Sequence, residues 1–440
     1  MRSEYNLCEL HSHLYGCLTV ADLEFLAARR PPRSEIFEQS YQRTYGKPGP
    51  DVAALFAGTP ESRRLLESYY YFLEPAEFPF FQNCFDLIIT VSHTDPEELV
   101  LVSRRVAAEQ VADYAEYRVL FPPRDSIALF REKVHAVCEG LRAAERDSGR
   151  TLRLAPSLWR DPNVCDMFYD ELRSLMREQS IVRKYTTGID FCHAEEGHPP
   201  KAKRDFFARV LADNRREPEH ALAILYHVGE SFADKSVESA ARWVLESARA
   251  GAHRLGHAIA LGVNPELYSG PERGVRQETV SERRDQIAFE LEHRESLIDA
   301  GYDVNADHLS REQRDLRERD AAEFVPVVYD DARRESLRRF QDWAMREVRE
   351  TGAVIESCPT SNLRIARLED FRNHPLARFI AADLPVVIGA DDPGILRTNL
   401  RDELALIEQW PGVGRAGVER VLHVARASRS ELLAGRPAMN

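Results

Sequence analysis

Leu7-Cys8-Glu9-Leu10-His11-Ser12-His13 predicts a short strand that ends in two histidines. Residues i and i+2 of a strand point to the same side, so His11 and His13 offer two imidazoles to one point in space. That is half of a metal site. Matching chemistry returns in Tyr226-His227-Val228-Gly229-Glu230, in Arg254-Leu255-Gly256-His257 and in Ala390-Asp391-Asp392-Pro393. A catalytic zinc centre needs about one or two further nitrogen or oxygen ligands and an open position for water, and His227 and Asp391 are the candidates. Glu230, His257 and Asp392 then remain as acid, base and orienting groups.

Working outward from these segments, short β-rich runs alternate with stretches of helical periodicity. Strands are predicted near residues 6–10, 114–121, 152–158, 186–191, 221–227, 254–258, 353–358 and 385–389. After Ser236, the residues Val237, Ala240, Ala241, Val244, Leu245 and Ala248 form one apolar helical stripe that should face a sheet. Thr19 and Asn399 read as N-caps, each followed three residues later by an aspartate, Asp22 and Asp402. Eight alternating units of this kind, an α/β pattern, close most economically as a (β/α)8 TIM barrel whose catalytic groups sit at the C-terminal strand ends. The expectation is one barrel domain over residues 1–440, with insertions at about 19–113 and 264–334.

The first insertion is helical and rich in aromatics between Tyr69 and Phe85, with Phe78, Phe81 and Phe85 on one helical face. Those rings either roof an apolar pocket or pack as ordinary core. The second insertion follows the sixth strand and is dense in Arg, Glu and Asp, a composition of solvated helices. A lid or a homo-oligomer contact is the alternative, because loops after barrel strands emerge on the catalytic face.

A chain of 440 residues with 43% hydrophobic content can bury a large core. Its net charge of −13 argues against nucleic acid or an anionic membrane as partner and favours a small diffusible substrate. The seven cysteines are scattered without a Cys-x-x-Cys pair, which fits reduced thiols and a cytoplasmic location. Neither a leader-like segment nor an apolar run of about 18 residues is present, so secretion and membrane insertion are not expected.

A zinc ion held by His11, His13, His227 and Asp391 would ready a water for attack near neutral pH, with His257 beside it to take a proton. Glu230 lies three residues beyond His227, and Gly229 between them lets the chain turn and aim the carboxyl inward. Burial would raise its pKa and suit it to deliver a proton to a ring nitrogen. Asp391 and Asp392 are neighbours that cannot both face the metal, so one should ligate while the other contacts substrate.

Together these segments resemble the adenosine deaminase family of amidohydrolase-type, metal-dependent barrels. The likeness runs through Glu9-Leu10-His11-Ser12-His13-Leu14, Tyr117-Arg118 with Pro122, Thr187-Gly188-Ile189-Asp190, His227 to Glu230, Arg254 to His257, Cys358-Pro359-Thr360-Ser361-Asn362 and Asp391-Asp392-Pro393. It implies one zinc per chain on His11, His13, His227 and Asp391, with Glu230, His257 and Asp391 as the catalytic set. It further implies that Glu230 protonates N1 of a 6-aminopurine, that Asp392 holds N7 and that the Gly188 amide reaches N3. The implied reaction, placed in purine metabolism, is hydrolytic deamination of adenosine or a close relative to the 6-oxo product and ammonia, the work of a C–N hydrolase on a cyclic amidine. No lysine stands at the fourth strand end, where the chain reads Gly188-Ile189-Asp190, so one metal is expected rather than two.

One departure bears on substrate. Family members that use adenosine carry an aspartate that grips the ribose, and this chain has Tyr15 there, followed by Gly16. A phenol donates one bond and fills space where an anion would only accept. Tyr15 then either shapes the pocket for free adenine, a 5′-modified adenosine or AMP, or packs at the barrel mouth. The remaining alternatives are a hydrolase of another amide or amidine and, last, a noncatalytic assembly protein. The segment Cys192-His193-Ala194-Glu195-Glu196-Gly197-His198 is also unusual, and its histidines either meet water or hold a second metal.

Overall fold

A computed structural model of the chain describes residues 6–437. Its strands are β1 (Cys8–His13), β2 (Tyr114–Leu120), β3 (Thr151–Ser157), β4 (Gly188–Ile189), β5 (Ala223–Val228), β6 (Arg254–His257), β7 (Val275–Thr279), β8 (Phe324–Val328), β9 (Val354–Ser357) and β10 (Val386–Ile388). Each of the eight expected strands is there. The parallel order runs β1-β2-β3 and β4-β5-β6-β9-β10. Two backbone seams join these arcs into a ring. At the first, the Thr187 N–H donates to Leu154 O at 3.0 Å and the Asp190 N–H to Pro156 O at 3.1 Å. At the second, the Asp391 N–H donates to His11 O at 2.8 Å and the His13 N–H to Asp391 O at 2.9 Å.

β1 is not a regular strand. Cys8 pairs with Tyr114 and Glu9 with Ala115, but His13 pairs with Arg118, so one extra residue is accommodated between Glu9 and Ser12. Without that bulge His13 would stand opposite Val119; with it, His13 joins Arg118 on the interior face. The Glu9 carboxyl fills the disturbed stretch, accepting from the His11 N–H at 2.9 Å and from the Ala390 N–H.

The barrel interior below the rim is charged, and every member is paired. Arg118, Arg254, Glu116 and Glu356 are fully buried. Glu356 accepts from Arg118 at 2.5 Å and pairs with Arg254 Nε at 2.7 Å, while Arg254 reaches Glu116 at 2.5 Å. Removing one partner of such a set strands a buried charge, at a cost of about 3–5 kcal/mol.

The helices form as their caps direct. Thr19 and Asp22 make a reciprocal capping box at Val20–Arg29, and the Asn399 side chain accepts from the Arg401 and Asp402 amides. The predicted stripe of helix Val237–Ala250 is buried, and so are Arg242 and Trp243 on its far side. The second insertion covers that side: Glu282 accepts from Arg242 at 2.6 Å and from Trp243 Nε1 at 2.9 Å. This corrects the expectation of solvated helices for Val280–Glu292, which docks through matched charges on Val237–Ala250, while Ala306–Leu316 buries only Leu309 and Leu316. The insertion also holds the antiparallel β7–β8 ribbon, which periodicity did not disclose. Among the described residues no helix is long and apolar enough to cross a membrane.

Candidate active site at the rim of the barrel

The imidazoles of His11, His13 and His227 converge where β1 and β5 end, with their ligand atoms within 4.8 Å of one another. Asp391, in the seam beyond β10, brings Oδ1 to 3.4 Å from His11 Nε2 and 3.3 Å from His13 Nε2. His11 Nδ1 is held by Glu356 at 2.8 Å, and His227 Nδ1 by Asp190 at 3.0 Å. A carboxylate behind His11 and His227 fixes the tautomer of both and turns Nε2 towards the cluster, as in imidazoles that ligate metals, although Arg118 Nη1 also approaches His11 Nε2 at 3.3 Å. His227 Nε2 is buried without a hydrogen-bond partner. These residues therefore fit a divalent ion. Burial and Arg118 set conflicting demands on Asp190 and Glu356: burial favours the neutral acid, but the adjacent cations hold both carboxyls well below the usual range.

His257 and Asp391 both adopt left-handed backbone, φ 62° in each case. Non-glycine residues avoid that region, and such strain gathers at functional sites. Gly229 turns with φ 72°, and a β-carbon on it would stand 2.8 Å from Val244 Cγ2. The turn carries Glu230 to 3.5 Å from His257 Nε2. Burial, then the negative charges of Asp391 and Glu195, push the Glu230 carboxyl well above its ordinary value.

Two positioning residues were not singled out from the sequence. Glu195, 4% exposed, accepts from the backbone N–H groups of Gly229 at 2.7 Å, Glu230 at 2.9 Å and Ser231 at 3.1 Å, clamping the turn that presents Glu230. Asn362 accepts through Oδ1 from the Cys358 N–H, so its amide nitrogen faces His257 Nδ1 at 2.9 Å. His257 Nδ1 is thus an acceptor, and neutral His257 carries its proton on Nε2. Burial holds His257 well below its ordinary pKa, with Asp391 opposing. Asn362 and Glu195 each stand in a segment that the sequence marks, Cys358–Asn362 and Cys192–His198, but for the second the expectation was a metal and not a clamp on the turn.

The structure does not gather all the expected substrate residues. Gly188 lies within β4, its α-carbon region packed on Ala223 O, Ser430 Oγ and Ala155 Cβ. The register leaves its own N–H out of the pairing with β5, where the Ala223 N–H donates to Thr187 O at 3.0 Å. Tyr15 is 7% exposed and its hydroxyl donates to Glu98 at 2.9 Å, which is the packing alternative. Phe81 is buried against Phe72 and Phe78. Gly16 and Asp392 are in contact: a β-carbon on Gly16 would sit 1.6 Å from Asp392 Oδ1. Asp392 Oδ1 is buried and unpartnered. Burial and Asp391 push the Asp392 carboxyl up to about 8. Among the described residues no metal cluster forms at Cys192–His198; His193 packs on Trp159 instead.

A cavity of about 720 Å³ opens outward from His227, Glu230 and Glu195, in the size range of small-molecule sites. Of the three rings expected to roof a pocket or pack as core, Phe78 alone lines its wall, and Arg276 enters from β7.

A closed parallel barrel with this cluster at its C-terminal rim defines an amidohydrolase-type fold. Structures of the same fold include an adenine deaminase from Arthrobacter aurescens, 15% identical, with a TM-score of 0.54 over 97% of this chain and 94% of that one. A second is a zinc-bound amidohydrolase from Burkholderia ambifaria, 17% identical, with a TM-score of 0.52 over 96% and 85%. A family model for adenosine deaminase matches residues 55–271 and 336–430, and the chain belongs to that family. A curated relative, the aminodeoxyfutalosine deaminase of Acidothermus cellulolyticus, is 42% identical over 79 residues, 18% of this chain and 20% of that protein. Matches to the first curated relatives span from 20% to 33% of their length.

Proposed function

We propose that this chain hydrolytically deaminates a 6-aminopurine nucleoside or close relative, with one zinc ion held by His11, His13, His227 and Asp391. The convergence of those four side chains with Glu230 and His257 at one strand-end rim carries the reading. Three imidazoles and a carboxylate suit zinc among common divalent ions. When bound, the ion supplies a water activated near neutral pH and charge stabilisation for the adduct at C6.

The chain's own groups divide the remaining work. Glu230, kept protonated by burial and its neighbours, gives its proton to N1 as C6 is attacked. His257, with hydrogen on Nε2 and Asn362 behind it, serves first as a donor that orients the attacking oxygen. This refines the expectation of a proton-accepting base. Purine N7 is an acceptor, so Asp392 must donate to it, and a carboxyl raised to about 8 is protonated at neutral pH and able to do so. Against the effect of burial, the neighbouring imidazoles of His11, His13 and His257 hold the Asp391 carboxyl well below the usual range, so it stays ionised.

The test is incubation of the zinc-loaded protein with adenosine, adenine, AMP and a 5′-thioether adenosine, following ammonia release and loss of the 6-amino chromophore. Turnover of at least one is expected. Inertness on all four points to another amide or amidine substrate.

A further inference from the structure

The family model leaves out residues 272–335, yet this stretch helps to wall the cavity. β7 is fixed to the loop that follows Glu230. The Thr279 N–H donates to Asp234 O at 3.0 Å, and Ser236 gives its N–H and hydroxyl to Glu278 at 3.1 and 2.7 Å. Arg276 lies on this fixed strand and donates through one terminal nitrogen to Phe232 O at 2.5 Å. Phe232 is two residues beyond Glu230. The insertion therefore presents a guanidinium on the same loop that presents the proton donor.

The other cations at the mouth are already matched: Arg273 pairs with Glu369 at 2.5 Å and Arg367 with Glu77 at 3.2 Å. Among the described residues Arg276 pairs with no carboxylate. Its Nε is buried without a hydrogen-bond partner, and its remaining contacts are the faces of Phe232 at 4.8 Å and Tyr268 at 5.7 Å. A part-buried cation without a counter-ion bears a desolvation cost that a ligand anion would offset. In a chain of net charge −13, an anionic substrate needs such a local positive group to be drawn in and oriented.

We propose that Arg276 forms an anion subsite at the cavity mouth, so that the preferred substrate is a 6-aminopurine derivative bearing a phosphate or carboxylate. This rests on the deaminase reading and adds the substrate class to it. A planar guanidinium suits either anion, since both accept paired hydrogen bonds.

The experiment compares kcat/KM for adenosine, AMP and adenosine-5′-carboxylate in the wild type, Arg276→Ala and Arg276→Lys. In the wild type, at least one anionic substrate should be preferred to adenosine, and AMP against the carboxylate tells which anion is taken. In Arg276→Ala the anionic-to-neutral ratio should fall about 10- to 100-fold, with Arg276→Lys between. Calorimetric binding of IMP against inosine reads the subsite without turnover, and circular dichroism checks that the variants are folded. A wild type that prefers adenosine, or ratios that Arg276→Ala leaves within about twofold, would overturn the subsite while the deaminase reading stands. If no 6-aminopurine is turned over but IMP binding still depends on Arg276, the deaminase reading falls and the subsite survives. If neither is seen, both fall.

Discussion

In its proposed role as acid, Glu230 needs two things from its surroundings, a proton at neutral pH and a fixed position, and different residues supply them. Burial and neighbouring carboxylates supply the first; three N–H bonds to Glu195 supply the second. Glu230→Gln should retain its metal and lose about 100-fold or more in kcat, as read by steady-state kinetics beside metal analysis. Loss of the metal would instead make Glu230 a ligand. Glu195→Gln should lower kcat by up to about 100-fold with metal content intact, because a small misplacement of the acid is enough. A change confined to KM or to melting temperature would reduce Glu195 to a structural role. Much of this site was legible because its residues cluster in short segments with strand-end signatures, such as His227-Val228-Gly229-Glu230. Glu195, Asp190 and Glu356 act on partners 34 to 345 positions away, and no local pattern marks such pairs.

At the scale of elements, periodicity was a reliable guide wherever one neighbour decides burial. The apolar stripe of Val237–Ala250 was readable, but its polar far face is buried by Glu282 and Gln286 from another segment. β7 was not readable, since its partner β8 lies some 45 residues on and Val275-Arg276-Gln277-Glu278-Thr279 alternates only weakly. The junction of β5 and β6 carries a pH dependence. His253 Nδ1 accepts from the Ile224 N–H at 3.0 Å, and burial, then Arg254, lower its pKa to about 4. The unfolded chain takes up this proton first, below about 6.5, so stability present at pH 7 is lost as pH falls towards 4. His253→Asn keeps an acceptor for Ile224 and removes the titration. Urea unfolding should show the wild type losing about 1–2 kcal/mol more than this variant between pH 7 and pH 5, after allowance for partial exposure. Equal losses would remove His253 from the account.

For the whole molecule, ring closure and chemistry share the same atoms. The last seam runs through Asp391 and the two histidines of β1, so closing the barrel assembles the site. Beneath it, Glu356 ties His11 to the buried Arg118 and Arg254, which ties the geometry of this proposed ligand to the packing of the interior. The barrel was legible from eight alternating units; its closure, the β1 bulge and the docked insertion depend on contacts between distant segments. The central proposal is a single ion held across the barrel by β1, β5 and the chain beyond β10. Zinc titration of the metal-stripped protein by calorimetry tests it most directly. One zinc per chain is expected, with affinity collapsing in both His13→Ala and His227→Ala. No binding by the wild type, or binding that both variants retain, would contradict the account.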